Sequence, residues 1–301
     1  MAEAIRVCII GLGSMGMGTA KACIAAGLTA YGIDLRPSAC AELETAGGKA
    51  AGDGRAFAGE LDAVIVLVIN AKQAEEALFG ASGIAPLLAK GTPVMMSSTI
   101  SPDAARHLAG RLDEYGLPML DAPVSGGPVK AGEGRLTVMA AGPEATFDKL
   151  SPVLAAVAEN VYRVGSGIGQ GAMVKIVHQL LAGVHIAAGA EAMAFAARAG
   201  IPLDVMYDVV THSAGNSWMF ENRMKHVVDG DFTARSSVDI FVKDLGLVTE
   251  TANKLAFPLP LASIAYTMFA NASNAGWGNL DDSAVVKIFN GIQLPGEADD
   301  V

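Results

Sequence analysis

The sequence is short of cysteine, aromatic residues and charge, and each shortage narrows the class of protein. Cys8, Cys23 and Cys40 are its three cysteines among 301 residues, and they form no CxxC or metal-binding spacing, which favours reduced thiols in a cytoplasmic protein. Aromatic residues make up 6% of the chain and charged residues 17%, whereas 51% is hydrophobic. Apolar helices with so few charges tend to be buried on several sides, so we expect a homo-oligomer.

Positive charge is in deficit as well. The formal net charge is −10, which argues against nucleic acid or an anionic membrane as a partner. The N-terminal apolar run meets glycines at once and has no cleavage-type segment after it, unlike a signal peptide. The longest apolar helical stretch, 171–200, is interrupted by Lys175 and His178, and Glu191 ends its uncharged part short of the ~20 residues that a bilayer needs. We expect a soluble protein.

The first half alternates short β-branched runs with amphipathic helices. Strands are predicted at 5–10, 28–33, 62–68, 92–98, 118–124, 135–142 and 161–165, with helices near 14–26, 37–46, 71–79, 102–116 and 143–158. This spacing predicts an α/β fold with a doubly wound parallel sheet. Beyond the glycine-rich 165–171 only helices are predicted, before an acidic tail from 292 that is expected to be loose. The expected domains are a Rossmann domain (1–165) and an all-helical domain for substrate binding and oligomerisation (166–301).

A GxGxxG motif follows the first predicted strand and opens a helix. In a dinucleotide-binding turn, Gly11 permits the tight turn, Gly13 lets backbone approach a pyrophosphate, and Gly16 lets helix and strand pack closely. Asp34 ends the second strand, where an acid binds the adenosine ribose and repels a 2′-phosphate, so NAD is the expected cofactor. Arg36 could pair with such a phosphate, which keeps NADP open. The alternative is a tight turn without a nucleotide.

A second glycine cluster follows the last long strand of this series. Ser125, Gly126 and Gly127 offer a hydroxyl and successive unhindered backbone N–H groups at the C-terminal edge of the sheet, where open α/β sheets bind ligands. Such an array suits a carboxylate, which needs convergent donors more than a full countercharge. An ordinary turn is the alternative interpretation of the same residues.

Five motifs occur in one order along the chain: GLGSMG, SSTISP, DAPVSGGPVKAGEGRLTVMAAG, GxxxK and FVKDLGL. Together they resemble the β-hydroxyacid dehydrogenases, the family that includes 3-hydroxyisobutyrate dehydrogenase and tartronate semialdehyde reductase. The resemblance covers nearly the whole chain. It implies a Rossmann domain, a helical domain joined to it by a long interdomain helix, NAD as cofactor, and a small anionic hydroxy acid as substrate. The oligomer would be a homodimer or a homotetramer.

The resemblance assigns the catalytic role to Lys175, which would bridge the substrate hydroxyl and take its proton. A lysine whose head reaches water at the surface is the alternative. His178 and Gln179 follow at i+3 and i+4, so all three side chains can address one pocket as substrate-binding groups. Most of the family has two asparagines at those places. The lengthened amide here puts the usual small substrates in doubt and favours a substrate with more hydroxyl groups.

The resemblance also places residues around the cofactor. The loop contributes Gly11, Gly13, Met15 and Gly16, and Asp34 binds ribose. Asn70 would lie near the adenosine side, Thr99 beside the nicotinamide ribose, and Lys243 would reach toward the cofactor, with Asp244 orienting it or pairing with it. Other family activities remain open, such as tartronate semialdehyde or 3-hydroxyisobutyrate interconversion. An imine reductase shares the architecture but typically lacks the lysine, and a nucleotide-sensing module is the candidate from another class.

Overall fold

The computed structural model describes residues 4–295, so the last residues of the acidic tail lie outside it. The chain separates into two compact units, Met1–Lys175 and Ile176–Val301. The division lies inside a long helix, Gln170–Arg198, and the predicted domain boundary at residue 165 precedes that helix. Each unit has its own core.

The first unit is built on a nine-stranded sheet. Its strands are β1 (Arg6–Ile10), β2 (Thr29–Ile33), β3 (Lys49–Ala51), β4 (Ala63–Val66), β5 (Val94–Met96), β6 (Met119–Asp121), β7 (Val124–Ser125), β8 (Leu136–Ala141) and β9 (Ala158–Gly165). The order across the sheet is β3-β2-β1-β4-β5-β6-β8-β7, and β9 pairs with β8. This is the predicted Rossmann-type arrangement, with the short edge strand β3 as an addition that its Lys-Ala-Ala sequence does not announce.

The helices of this unit are α1 (Ser14–Ala25), α2 (Pro37–Thr45), α3 (Ala71–Phe79), α4 (Pro102–Asp113), α5 (Gly127–Gly132), α6 (Glu144–Val157) and the first turn of α7 (Gln170–Arg198). Helix α4 begins with an N-cap serine followed by proline, which is a helix-start signal in the sequence, and Ser101 accepts a hydrogen bond from the Ala104 N–H at 3.2 Å. The same sequence reasoning missed α5, which is short and begins in glycine and proline.

The sheet is parallel from β3 to β6 and then departs from the prediction. Strand β8 pairs antiparallel with both β6 and β7, and β9 runs parallel to β8, so both strands oppose the direction of β6. The expectation of a wholly parallel sheet was therefore wrong at this edge. A parallel return needs a crossover of about a dozen residues or more, usually a full helix. The segment between β7 and β8 holds only the short α5, so β8 runs back antiparallel beside β7.

The covering of both sheet faces explains the apolar strand sequences. On β1, Val7 and Ile9 belong to one buried cluster that includes residues of α1 and α6, whereas Cys8 and Ile10 belong to another that includes residues of α3 and α4. A strand buried on both sides reads as a continuous apolar run rather than an alternating one. Burial also raises the pKa of the Cys8 thiol, so this cysteine is inert, as its apolar surroundings predicted.

The second unit is helical in the described residues apart from one isolated bridge, Ser237 with Asp281. It contains most of α7, then α8 (Leu203–Thr211), α9 (Trp218–Asp229), α10 (Val238–Lys254) and α11 (Pro260–Ala272), followed by short 3₁₀ and π turns. Phe241 and Phe269 stack between α10 and α11 with ring centroids 5.1 Å apart. Within residues 4–295, α7 is the one helix long and apolar enough to cross a membrane by length and composition, and 50% of its apolar window is buried.

Candidate active site

In the glycine loop between β1 and α1, neighbouring atoms crowd Gly11 and Gly16 but leave space at Gly13. A Cβ on Gly16 would lie 1.8 Å from the Gly11 carbonyl oxygen, and one on Gly11 would lie 2.8 Å from the Leu67 oxygen. At Gly13 an added Cβ would meet nothing within 4 Å, and the residue is the N-cap of α1 without a side-chain cap. Exposed N–H groups at a helix N-terminus bind anions, so the loop fits a pyrophosphate.

Asp34 lies directly against this loop. Its Oδ2 accepts a hydrogen bond from the Leu12 N–H at 2.8 Å, and its side chain is 10% exposed. Burial raises the pKa of this carboxyl, but hydrogen bonds from Arg36 and Leu12 outweigh burial and hold the pKa below its ordinary value. Asp34 is therefore a fixed anion at the end of β2, where the adenosine ribose of a dinucleotide is bound.

Arg36 covers the carboxylate of Asp34, a contact that sequence reasoning did not anticipate. Its Nε lies 3.0 Å from Oδ1, and its Nη2 lies 3.1 Å from Oδ2 and 3.0 Å from the Leu12 carbonyl oxygen. The arginine side chain is 60% exposed and lines a cavity of about 590 Å³ beside the loop, together with Lys21 and Ser38. The arginine charge thus offsets part of the repulsion that Asp34 exerts on a 2′-phosphate.

The second glycine cluster forms a tight turn after β7. Gly126 and Gly127 have φ angles of +136° and +76°, which residues with side chains rarely adopt. An added Cβ on Gly127 would meet nothing within 4 Å, so the turn is open there. Ser125, the last residue of β7, is half-buried beside it. The turn has the small, accessible backbone that a carboxylate site needs, and its binding role stays a prediction.

Asp121, four residues before Ser125, joins this segment to the start of α7. Its buried Oδ2 accepts the N–H of Gly169 at 2.8 Å and that of Ala172 at 3.0 Å. Burial raises the pKa of Asp121, while the backbone N–H groups at the helix start act in the opposite direction. Sequence reasoning did not single out this residue, although an acid that ends an apolar strand is a signal that could have found it.

The glycine of the GxxxK motif makes that contact possible. A Cβ on Gly171 would lie 2.4 Å from the Asp121 carbonyl oxygen and 2.6 Å from that of Met139. Any larger residue would push the first turn of α7 away from the ends of β6 and β8. Lys175 lies one turn further along the same helix and is 6% exposed. Burial to this degree is rare for a surface lysine and disfavours the alternative of a lysine whose head reaches water.

His178 and Gln179 form part of a polar network inside the helical unit. Gln179 is 7% exposed, and its Nε2 donates to Asp244 Oδ2 on α10 at 2.5 Å. His178 Nδ1 lies 2.9 Å from Gln179 Oε1. Lys243 Nζ lies 2.8 Å from Asp244 Oδ1, so the pairing suggested for these two neighbours is present. The network crosses from α7 to α10.

The other residues of the first unit predicted near the cofactor are Asn70, Met15 at the start of α1, and Thr99. Asn70 is the N-cap of α3 and accepts a hydrogen bond from the Gln73 N–H at 2.9 Å. Met15 packs partly buried against the sheet core, and Thr99 is half-buried after β5. Their contacts with a cofactor stay predictions.

Comparison with known proteins matches both halves of the chain to dinucleotide-binding dehydrogenase domains. The NAD-binding domain of 6-phosphogluconate dehydrogenase matches residues 6–165, and the NAD-binding domain of NADP-dependent 3-hydroxyisobutyrate dehydrogenase matches residues 169–289. The L-threonate dehydrogenase of Escherichia coli O6:H1 is 64% identical, over 97% of both chains. That of Haemophilus influenzae is 65% identical, over 96% of both.

A solved structure is similar at the same level. The crystal structure of a Salmonella typhimurium protein named 3-hydroxyisobutyrate dehydrogenase has a TM-score of 0.91 and 64% identity, covering 95% of this chain and all of that one. The chain therefore belongs to the 3-hydroxyisobutyrate dehydrogenase-like family of hydroxyacid dehydrogenases. It is an oxidoreductase that acts on a CH–OH group and uses a nicotinamide adenine dinucleotide, as the motifs predicted.

Because Arg36 and Asp34 form an ion pair, removing one side chain or the other should change the preference for NAD over NADP in opposite directions. In Arg36→Ala the Asp34 charge is no longer offset, so kcat/KM with NADP should fall roughly tenfold or more while the value with NAD changes little. In Asp34→Ala the arginine is free to pair with a phosphate, and the ratio should move toward NADP. Steady-state kinetics with both cofactors provide the measurement. Better NADP turnover in Arg36→Ala would contradict this interpretation.

The Asp121 contact predicts a difference between two substitutions. Asp121→Ala leaves two buried N–H groups without an acceptor and should lower the free energy of unfolding by about 2–4 kcal/mol. Asp121→Asn keeps an oxygen that accepts both, and since burial already disfavours the charge, it should cost less than half as much. Denaturant unfolding of the two variants decides the point. Equal losses would mean that charge, rather than hydrogen bonding, holds the start of α7.

Proposed function

We propose that the protein oxidises L-threonate at C2 to 2-oxotetronate with NAD as the acceptor. Support comes from relatives of that name at 63–65% identity over nearly the whole chain, and from segments such as HQLLAGVHIAAGAEAMA that resemble them. The observation that carries the choice is the polar pair His178 and Gln179 on the helix of Lys175. A compact acid with few hydroxyl groups would offer this pair no further hydrogen bond on binding.

The roles follow from the chemistry of each residue. Ser125 and the Gly126 and Gly127 backbone would hold the substrate carboxylate. Lys175 would bridge the C2 hydroxyl and accept its proton. The bound nicotinamide supplies the hydride acceptor for the hydrogen on C2. Asp34 would hold the adenosine ribose.

The second candidate is 3-hydroxyisobutyrate, because the Salmonella protein with a similar fold carries that name at the same identity. Its single hydroxyl and its methyl group offer His178 no further donor, whereas Gln179 is already bonded to Asp244 and His178. Each buried polar group left unpaired costs about 1–3 kcal/mol. Loss of the hydrogen bond from a substrate hydroxyl to His178 favours the polyhydroxy acid by roughly 10² in kcat/KM.

We further propose that the protein works in the cytoplasm as a homodimer or homotetramer. The helical unit carries large apolar side chains that are more than half exposed in the single chain, among them Val177, Leu181, Phe195, Leu261 and Ile264. A monomer with this much exposed apolar surface on its helices would be prone to association. Light scattering of the purified protein measures the assembly directly.

A substrate panel tests the proposed activity. NADH formation should be roughly 10²-fold more efficient, in kcat/KM, with L-threonate than with 3-hydroxyisobutyrate or glycerate. The measurement is the absorbance of NADH at matched acid concentrations. If 3-hydroxyisobutyrate or glycerate proves the better substrate, the threonate assignment is wrong, although the dehydrogenase chemistry would stand.

Lys175 should be essential to the reaction but not to cofactor binding. Lys175→Ala should lower turnover by about 10² to 10⁴ while NAD still binds, because a proton acceptor in the transition state is lost. Lys225→Ala is the matched control, since Lys225 is an exposed helix lysine paired with Asp229. Turnover above a tenth of wild type in the Lys175 variant would remove this residue from the mechanism.

A further inference from the structure

The orientation of the Gln179 amide is fixed by its neighbour Asp244. A carboxylate accepts hydrogen bonds and does not donate them, so the Gln179 atom 2.5 Å from Asp244 Oδ2 must be the NH₂ nitrogen. The amide oxygen therefore faces His178, 2.9 Å from Nδ1. That oxygen also only accepts, so Nδ1 of His178 must carry a hydrogen. In a neutral ring this leaves Nε2 as the acceptor.

Two features fix the orientation of the Gln179 amide. Asp244 is 2% exposed, and the ammonium of Lys243 lies 2.8 Å from its Oδ1, which favours the charged carboxylate. Turning the amide over would place its oxygen against a carboxylate oxygen in a buried position, where like partial charges repel strongly.

We propose that Asp244 is a positioning residue that sets the tautomer of His178 through Gln179, so that Nε2 accepts a hydrogen bond from a substrate hydroxyl beyond C2. The proposal rests on the proposed function and identifies His178 as the side chain that recognises the substrate hydroxyls beyond C2. A nitrogen lone pair binds a hydroxyl, gains nothing from a methyl group, and repels a second carboxylate. Gln179 then acts mainly inside the protein, as the link between Asp244 and His178.

The first test compares two substitutions at His178 that differ in reach. In His178→Asn the amide reaches about as far as Nδ1 and loses the group at Nε2, whereas His178→Gln reaches about as far as Nε2. The substrates are L-threonate and 2-hydroxybutanoate of the same configuration at C2, which has the same carbon chain without the distal hydroxyls. Assays at about pH 8 keep an ordinary imidazole neutral.

Wild type should favour threonate over 2-hydroxybutanoate by roughly 10² in kcat/KM. His178→Asn should bring the two acids to within about tenfold, by loss on threonate, and His178→Gln should keep more of the preference. An unchanged preference in His178→Asn would overturn the proposal. Equal losses on both acids in that variant would also overturn it, because they would show a merely structural role.

The second test asks whether Asp244 acts through His178. Asp244→Asn lets the Gln179 amide adopt either orientation, so the threonate preference should fall part of the way, and adding Asp244→Asn to His178→Asn should lower the preference no further than His178→Asn alone does. The KM for NAD is measured alongside, since Asp244 also pairs with Lys243. Additive losses of preference in the double variant would mean that Asp244 does not act through the histidine.

A spectroscopic measurement reads the tautomer without any turnover. In protein with ¹⁵N-labelled histidine, the His178 signals, assigned by their loss in His178→Asn, should show a protonated Nδ1 and an unprotonated Nε2. In Asp244→Asn they should shift toward a mixture of tautomers. An unprotonated Nδ1 in wild type would overturn the proposal.

The role of His178 and the proposed function would be refuted by different results. Wild type that oxidises threonate without preferring it to 2-hydroxybutanoate would refute the role of His178 and leave the proposed function standing. Wild type that does not oxidise threonate would refute the function, and the inference with it.

Discussion

The position of the first turn of α7 depends on hydrogen bonds to the buried carboxylate of Asp121. It accepts two backbone N–H groups of the helix start, and it precedes the Ser125–Gly127 turn by only a few residues. Gly171 lets the helix approach that closely. One short segment therefore carries the turn assigned to the substrate carboxylate and also binds the start of the helix that carries Lys175.

Helix α7 contributes its first residues to the unit that contains the sheet and the rest to the helical unit. Lys175 is the last residue of the first unit, and His178 and Gln179 belong to the second, where Asp244 of α10 holds the amide. Substrate recognition and proton transfer are thus assigned to successive residues of one helix. This continuity explains why an otherwise apolar helix carries a lysine, a histidine and a glutamine together.

The fold could be predicted where burial dictates residue type. Strand β1 is covered on both faces and reads as an unbroken apolar run, and α4 announces its start through Ser101 and Pro102. The short β3 and α5 have too few residues to show a period, and the antiparallel β8 depends on the length of the preceding connection. In the site, the glycine loop and Asp34 could be predicted because they lie at the sequence spacing that dinucleotide-binding folds share. The contact between Gln179 and Asp244 joins residues 65 positions apart, which no local pattern can reveal.

The central claim is that hydrogen leaves C2 of L-threonate for the nicotinamide while Lys175 handles the hydroxyl proton. The most direct test uses L-threonate deuterated at C2, with the reduced cofactor analysed by NMR. The account predicts one deuterium at C4 of the nicotinamide and a slower reaction than with unlabelled acid whenever hydride transfer limits the rate. Reduced cofactor without deuterium would contradict the account, because oxidation would then occur at another carbon or by another route.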